Sequence, residues 1–322
     1  MGLRIFEILR SKKYVVFGSG TAAANHVKQF SKIGCKLLAV HNPSGRSVPG
    51  FCNTTTGSLL ELDKLDPDFF VIASPNHCHI DQIKYTVNRN IPALIEKPTI
   101  TDRKGLEWLK DHTNDVSRLC MSAQNLRYQL NTVFLREWLK KQTKLPNRIH
   151  VEWCRDIWDS LEPWKKDAKK SGGGILLDWG THAVDLVFEL FPELKFRFNK
   201  CNLRYDNSKV DQHAELQLMA QNHTLSATAK LSWLARETGN KPLELKLEYQ
   251  NQVLTWRKSG SISLATPTSH HYLFDKTGSV MHKTFIEHYV DCQLLTQQKI
   301  NQMRRTIELL EEIISFYDKQ PT

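Results

Sequence analysis

Tyr14 to Phe17 is a short apolar run that ends directly in Gly18-Ser19-Gly20-Thr21-Ala22-Ala23, after which apolar residues recur at helical spacing to about Ile33. Few folds accept this order. A buried strand must turn tightly into a helix, and small residues are needed where the backbone turns and where helix meets sheet. In the G-x-G-x-x-A pattern the first glycine makes the turn. The second lets the backbone approach a ligand, and the small third residue lets the helix pack on the sheet. The helix N-terminus then faces outward with unsatisfied N–H groups, a natural seat for a pyrophosphate.

The following segments repeat the strand-helix alternation expected of a parallel sheet. Lys36 to Val40 reads as a second strand, ending in His41-Asn42-Pro43-Ser44-Gly45-Arg46. A dinucleotide site that prefers NAD usually carries Asp or Glu here to bind the ribose hydroxyls. Neither is present. Asn42, Ser44 and Arg46 suit a 2′-phosphate, which favours NADP over NAD; a plain surface turn is the other reading. Asp68 to Ser74 is a continuous apolar run of the parallel-sheet type. It ends in Pro75-Asn76-His77-Cys78-His79, and a helix from about Ile80 to Arg89 follows. His77 and His79 stand two apart with no third ligand nearby, so no metal site is expected. Ala93 to Ile95 runs into Glu96-Lys97-Pro98, which places Lys97 at the same sheet edge as the glycine loop. A helix from about Asp102 to His112 and a further strand, Arg118 to Ala123, complete a doubly wound domain over 1–123.

A second glycine-rich stretch, Ser171-Gly172-Gly173-Gly174, precedes apolar residues at Ile175, Leu176, Trp179, Ala183, Leu186, Val187 and Leu190. This spacing predicts a helix. Asp178, His182, Asp185 and Glu189 then stack along one of its faces. Spacing leaves two readings open, a solvated polar face or a carboxylate and imidazole poised for proton transfer.

The remainder, 124–322, reads as a second domain. A helix from about Thr132 to Lys141 leads to Arg148–Arg155, which alternates like a strand. Ala214–Met219, Thr224–Trp233, Leu243–Tyr249 and Val253–Arg257 alternate too, predicting a largely antiparallel sheet. Thr284 to Tyr317 reads as helical, with Leu309, Ile313 and Phe316 packing inward.

Composition excludes several classes. With 40% hydrophobic and 24% charged residues in 322, the chain has the make-up of a soluble globular protein. No run approaches the roughly 18 apolar residues of a membrane span, and the first ten residues lack a signal-peptide core. Seven cysteines without a C-x-x-C pair argue for reduced thiols and a cytoplasmic setting. The formal charge of +10 is spread along the chain, without a nucleic-acid-binding signature. Its densest cluster is Lys165, Lys166, Lys169 and Lys170. That cluster is either a solvated loop or a local field for an anionic substrate.

G-x-G-x-x-A, Pro75-Asn76-x-x-His79, Glu96-Lys97-Pro98, Arg127-Tyr128 and Gly172-Gly173-Gly174-x-x-x-Asp178-x-Gly180-x-His182-x-x-Asp185 occur in one order. The set resembles the Gfo/Idh/MocA oxidoreductases (glucose-fructose oxidoreductase, inositol dehydrogenase and their relatives) from about residue 14 to 190. The resemblance implies an N-terminal Rossmann domain and a C-terminal α/β domain with a largely antiparallel open sheet. It implies NADP or NAD held by Gly18, Ser19, Gly20, Thr21, Ala22, Asn42, Ser44, Arg46, Ser74, Pro75, Asn76, His79, Glu96 and Lys97. Lys97, Asp178 and His182 match the family's catalytic group. His182 would exchange the proton of a substrate hydroxyl while hydride passes to or from the nicotinamide, and Lys97 would stabilise charge on the substrate oxygen. Asp178 would orient His182 or bind a substrate hydroxyl. Arg127, Tyr128, Arg155 and Trp164 fall in segments that the family places near a sugar-like substrate, and the neighbouring lysine cluster suits an anionic one. The resemblance also implies a homodimer or homotetramer. Two alternatives stand beside turnover: a non-catalytic NAD(P)-binding sensor or scaffold, and an NAD-assisted elimination or glycosidase cycle without net redox change.

Overall fold

The computed structural model describes residues 12–51, 54–207, 209–234, 239–292 and 294–319. Residues 1–11 therefore lie outside the described residues. The chain is α/β and divides into two compact units, 1–123 with 281–307 and 124–280 with 308–322.

In the first unit β1 (Lys13–Phe17) enters α1 (Thr21–Lys32), then β2 (Lys36–His41), β3 (Thr54–Thr56) and α2 (Leu59–Leu62). β4 (Phe69–Ile72), α3 (His79–Asn88), β5 (Ala93–Ile95), α4 (Arg103–Asp111), α5 (Thr113–Leu119) and β6 (Cys120–Ser122) follow. The six strands lie in the order β3-β2-β1-β4-β5-β6, every neighbouring pair parallel. This is the Rossmann arrangement, in which ligands bind beyond the strands' carboxyl ends. β4 is buried throughout because helices cover both faces of a parallel sheet.

In the second unit α6 (Leu130–Leu139) leads to β7 (Arg148–Cys154) and a short α7 (Ala168–Ser171). The segment predicted as one helix begins instead as a π-helical stretch, Leu176–Gly180, and becomes α-helical in α8 (Thr181–Leu190). β8 (Phe196–Tyr205), β9 (Asp211–Ala220), β10 (Ser226–Ser232), β11 (Lys241–Glu248), β12 (Val253–Arg257), β13 (Ser261–Ala265) and β14 (His270–Asp275) complete it. The sheet runs β14-β13-β12-β11-β7-β10-β9-β8 and is antiparallel except for β7 beside β10. The sequence reading omitted β8, β13 and β14. β8 and β14 are edge strands with mostly exposed or half-buried residues, so burial imposes little alternation on them. The core gathers Trp153, Leu176, Val184, Leu216, Leu231, Leu245 and Ile313, all buried.

The C-terminal region is α9 (Met281–Phe285), a π-helical turn over Ile286–Val290, and α10 (Gln297–Asp318). The sequence reading kept 124–322 together; here 281–307 joins the first unit. The Phe285 ring meets Phe69 edge-on at 5.3 Å, and Lys299 donates to the carbonyls of Arg118 (3.3 Å) and Cys292 (2.7 Å). Aromatic edge contacts of this kind are worth about 1 kcal/mol beyond their buried area. Further along, Leu309 and Ile313 are buried and Phe316 packs on the second unit's core, as their spacing predicted.

Candidate active site

Four strands of the first sheet end in segments named from the sequence. β1 passes into Gly18, whose φ of +95° needs glycine; an added Cβ would lie 2.5 Å from the Ala73 carbonyl oxygen. Gly20 caps α1 with no side-chain hydrogen bond, and nothing lies within 4 Å of where its Cβ would be. Ala23 is buried against the sheet. Gly20 is exposed at this turn, so the start of α1 is accessible from solvent, as a pyrophosphate seat requires. Thr21 is exposed there, and Ser19 and Ala22 are half-buried.

At the end of β2, Asn42 organises its own loop. Its Nδ2 donates to Ser19 Oγ (2.6 Å) and to the Arg46 carbonyl (3.1 Å), while its Oδ1 accepts from Ser44 N (3.0 Å) and Oγ (2.9 Å). Arg46 Nε donates to Ser44 Oγ at 3.2 Å. Asn42 therefore joins this loop to the glycine turn, while Ser44 and Arg46 are exposed.

Ser74, Pro75 and Asn76 follow β4, and Ser74 Oγ donates to Gln82 Oε1 at 2.7 Å. His79 is buried rather than displayed. Its Nδ1 lies 2.9 Å from the Pro98 carbonyl and its Nε2 3.0 Å from that of Ser74. Burial, opposed by these carbonyls, pushes its pKa below the ordinary histidine value, and the neutral ring, with a single N–H, donates to one of the two carbonyls while packed between the Ser74 loop and the loop after β5. Glu96 and Lys97, both half-buried, occupy that loop. Glu96 Oε2 accepts the Lys97 N–H at 3.1 Å, and the Lys97–Pro98 peptide is cis.

The second unit builds its site around one carboxylate that sequence reasoning missed. Asp211, fully buried at the start of β9, accepts the N–H groups of Gly174 and Leu176, each at 2.8 Å, and the Tyr317 hydroxyl at 2.8 Å. It neutralises the exposed donors at the start of the helix, as a cap does. A Cβ at Gly174 would sit 2.1 Å from the Asp211 carbonyl oxygen, so this glycine is there for close approach. Burial raises the Asp211 pKa, against the hydrogen bonds it receives.

From this anchor the π-helical stretch and α8 present Asp178, His182, Asp185 and Glu189, and the solvated-face reading fails. Asp185 and Glu189 are buried, each beside a cation: Arg127 on Asp185, Arg136 on Glu189. Asp178, half-buried, takes a hydrogen bond from Lys165 Nζ at 2.9 Å. His182 is 8% exposed, with its ring 6.1 Å from that of Trp153. Trp153 in turn stacks on Trp179 at 3.9 Å. A buried, aromatic-walled imidazole on a rigid helix is what a general acid-base group needs.

Two residues named as substrate contacts are buried. Arg127 is 3% exposed and bonded to Asp185, and Tyr128 is buried beside it. Burial disfavours the guanidinium charge, but attraction and hydrogen bonds to Asp185 more than offset this and raise its pKa. Arg155 is exposed, while half-buried Trp164 donates to Glu162 Oε2 at 2.5 Å. Among the lysines, Lys166 lies over the Trp158 ring at 5.1 Å and Lys170 is 3.4 Å from Asp167. No cluster of three or more His, Cys, Asp or Glu that could hold a metal occurs among the described residues.

Comparison with known proteins agrees with this layout. Residues 12–124 match the model described as "Oxidoreductase family, NAD-binding Rossmann fold", and 146–248 match the GFO/IDH/MocA C-terminal domain. Glucose-6-phosphate 3-dehydrogenase of Bacillus subtilis (strain 168) is 27% identical over 189 residues, covering 56% of this chain. The match spans 54% of that enzyme, so the chain aligns with about half its length. Among solved structures, KijD10, a 3-ketoreductase of Actinomadura kijaniata in complex with NADP and TDP-benzene, superposes with a TM-score of 0.78 at 14% identity (93% of this chain, 96% of that one). GenD2 from gentamicin A biosynthesis, in complex with NAD, gives 0.77 at 17% (94% and 93%). At these identities the structures speak for the fold, while the two family matches cover the whole first sheet and five of the eight strands of the second: the chain belongs to the Gfo/Idh/MocA family of oxidoreductases.

Proposed function

We propose that the protein is an NAD(P)-dependent oxidoreductase acting on a hydroxyl or keto carbon of a sugar, cyclitol or nucleotide-sugar-like substrate. The observation that carries the reading is the uncapped N-terminus of α1 at Gly20, open to a ligand at the sheet edge that also bears Glu96 and Lys97. Gly18 to Ala22 would hold the pyrophosphate, with Ser74, Pro75 and Asn76 at the next strand's end. His79 would position the Ser74 and Pro98 loops rather than touch the dinucleotide. Ser44 and Arg46, in a loop without an acidic residue, suit the 2′-phosphate of NADP. When bound, the nicotinamide supplies or accepts the hydride. His182 takes the substrate hydroxyl proton in oxidation and returns one to the oxygen in reduction. The Lys97 ammonium stabilises negative charge on that oxygen. Asp178, already bonded to Lys165, orients the substrate or His182.

One relative is by name a glucose-6-phosphate 3-dehydrogenase and KijD10 holds TDP-benzene, and the Lys165 to Lys170 cluster supports an anionic substrate here. A cytoplasmic homodimer or homotetramer completes the proposal. It is supported by seven cysteines without a C-x-x-C pair and by the broad second sheet. No described helix is long and apolar enough to cross a membrane.

The test is a titration of NADPH and NADH followed by nicotinamide fluorescence, with Gly20→Asp as control, then assays with glucose 6-phosphate and TDP-glucose. Binding lost in the control, and turnover lowered about 10²–10⁴-fold by His182→Asn and Lys97→Met, would support the reading. Binding without turnover on any keto-sugar would leave a sensor. Turnover without net change in nicotinamide absorbance would mark a redox-neutral cycle.

A further inference from the structure

Glu96 is held from two sides within the first unit. Its Oε2 accepts the Lys97 N–H at 3.1 Å, and its Oε1 lies 2.8 Å from His26 Nε2. His26 stands on α1, 3% exposed, and its Nδ1 lies 2.9 Å from His282 Nε2. The His282 ring is itself fixed, meeting Phe30 edge-on at 4.7 Å within the cluster of Phe30, Phe69 and Phe285. The protons follow from these contacts. An ionised carboxylate only accepts, so His26 carries its proton on Nε2. The His26 Nδ1–His282 Nε2 contact shares one proton between the two rings. Burial, with the neighbouring His26, lowers the His282 pKa to about 3, so this ring is neutral.

We propose that His282, acting through His26, is a positioning residue for Glu96 and therefore for the main chain that carries Lys97. The contacts link His282 to His26 and His26 to Glu96, and the second carboxylate oxygen receives the Lys97 N–H. Three separate pieces of chain meet at one carboxylate: the helix behind the glycine loop, the loop after β5, and α9. A second-layer group that fixes a first-layer one in this way sets its orientation without touching substrate. The proposal rests on the reading of Lys97 given above for its catalytic meaning. Its structural content is independent of cofactor and substrate.

Two measurements on the full chain test it, neither needing a ligand. The first is the imidazole ¹H–¹⁵N spectrum of histidine-labelled protein near neutral pH, assigned with His26→Gln and His282→Gln. His26 is expected to carry a proton on Nε2 and His282 to be neutral. A bare Nε2 on His26, or a charged His282, overturns the proposal. The second is amide hydrogen exchange at Lys97 in His282→Gln and His282→Phe. Glutamine keeps an N–H donor at the Nε2 position and phenylalanine keeps only the ring volume. Exchange near the wild-type rate in His282→Gln and about tenfold faster in His282→Phe, the loss of one hydrogen bond's worth of protection, is the expected pair. The reverse order, or equal rates, means that His282 only packs and overturns the proposal. Should the protein fail to bind a dinucleotide while both results hold, it is the oxidoreductase reading that falls.

Discussion

Arg127 Nε donates to both carboxylate oxygens of Asp185, at 3.0 and 2.9 Å, with both side chains at most 3% exposed. The pair joins the segment before α6 to the middle of α8, three residues from His182. Breaking a buried pair strands a charge, at a cost of about 3–5 kcal/mol. Arg127→Met is therefore expected to lower unfolding stability by about that much in urea titrations. Arg127→Met combined with Asp185→Leu should recover much of the loss. Near-native stability of Arg127→Met with only a raised KM would instead return Arg127 to the substrate.

The two glycines of the first turn should separate fold from ligand. Gly18→Ala forces a side chain into the Ala73 carbonyl at positive φ, and should cost about 2 kcal/mol or more in thermal or urea unfolding. Gly20→Ala, with open space and φ of −79°, should leave stability within about 0.5 kcal/mol. Its added methyl would occupy the ligand's approach, so NAD(P)H should bind at least about tenfold more weakly.

His282 predicts an acid limb. In the unfolded chain its imidazole takes up a proton near pH 6.5; in the folded protein burial, with His26 adding to it and Glu96 opposing, delays that to about 3. The unfolded state thus binds more protons between these values. This contribution to stability is complete above about pH 6.5 and declines as pH falls toward 3, by at most about 1.4 kcal/mol per pH unit. In His282→Gln the unfolding free energy measured from pH 7 to 4 should fall less steeply than in wild type. Parallel curves would show that His282 titrates normally.

Lys165 Nζ rests on Asp178 Oδ2 at 2.9 Å, where an anionic substrate would compete for it. With glucose 6-phosphate as probe, KM should rise with ionic strength, and replacing Lys165, Lys166, Lys169 and Lys170 by alanine should flatten that dependence. Salt-insensitive KM in the wild type would remove the anionic-substrate proposal.

The parallel sheet was legible in the sequence because its strands are buried on both faces and punctuated by glycine. Tyr14–Phe17, Asp68–Ser74 and Gly18 to Ala23 announce themselves locally. The exposed edge strands β8 and β14 escaped because neither face is strongly buried, so no alternation is enforced.

The site was legible only as residue types in order. Local spacing determined that Asp178, His182, Asp185 and Glu189 share a helix face, and that Gly18, Glu96 and Lys97 lie at one sheet edge. It did not determine their partners. Asp211 lies 37 residues from Gly174, His282 lies 256 from His26, and Arg127 lies 58 from Asp185. Such pairings carry no periodic signature, because a buried charge is compensated by whatever the folded chain brings within hydrogen-bond reach. Sequence alone thus determined the sheet order's beginnings and the chemistry on offer. Tertiary structure decided which carboxylates are anchors, which cations are spent on them, and that residues 281–307 return to the first unit.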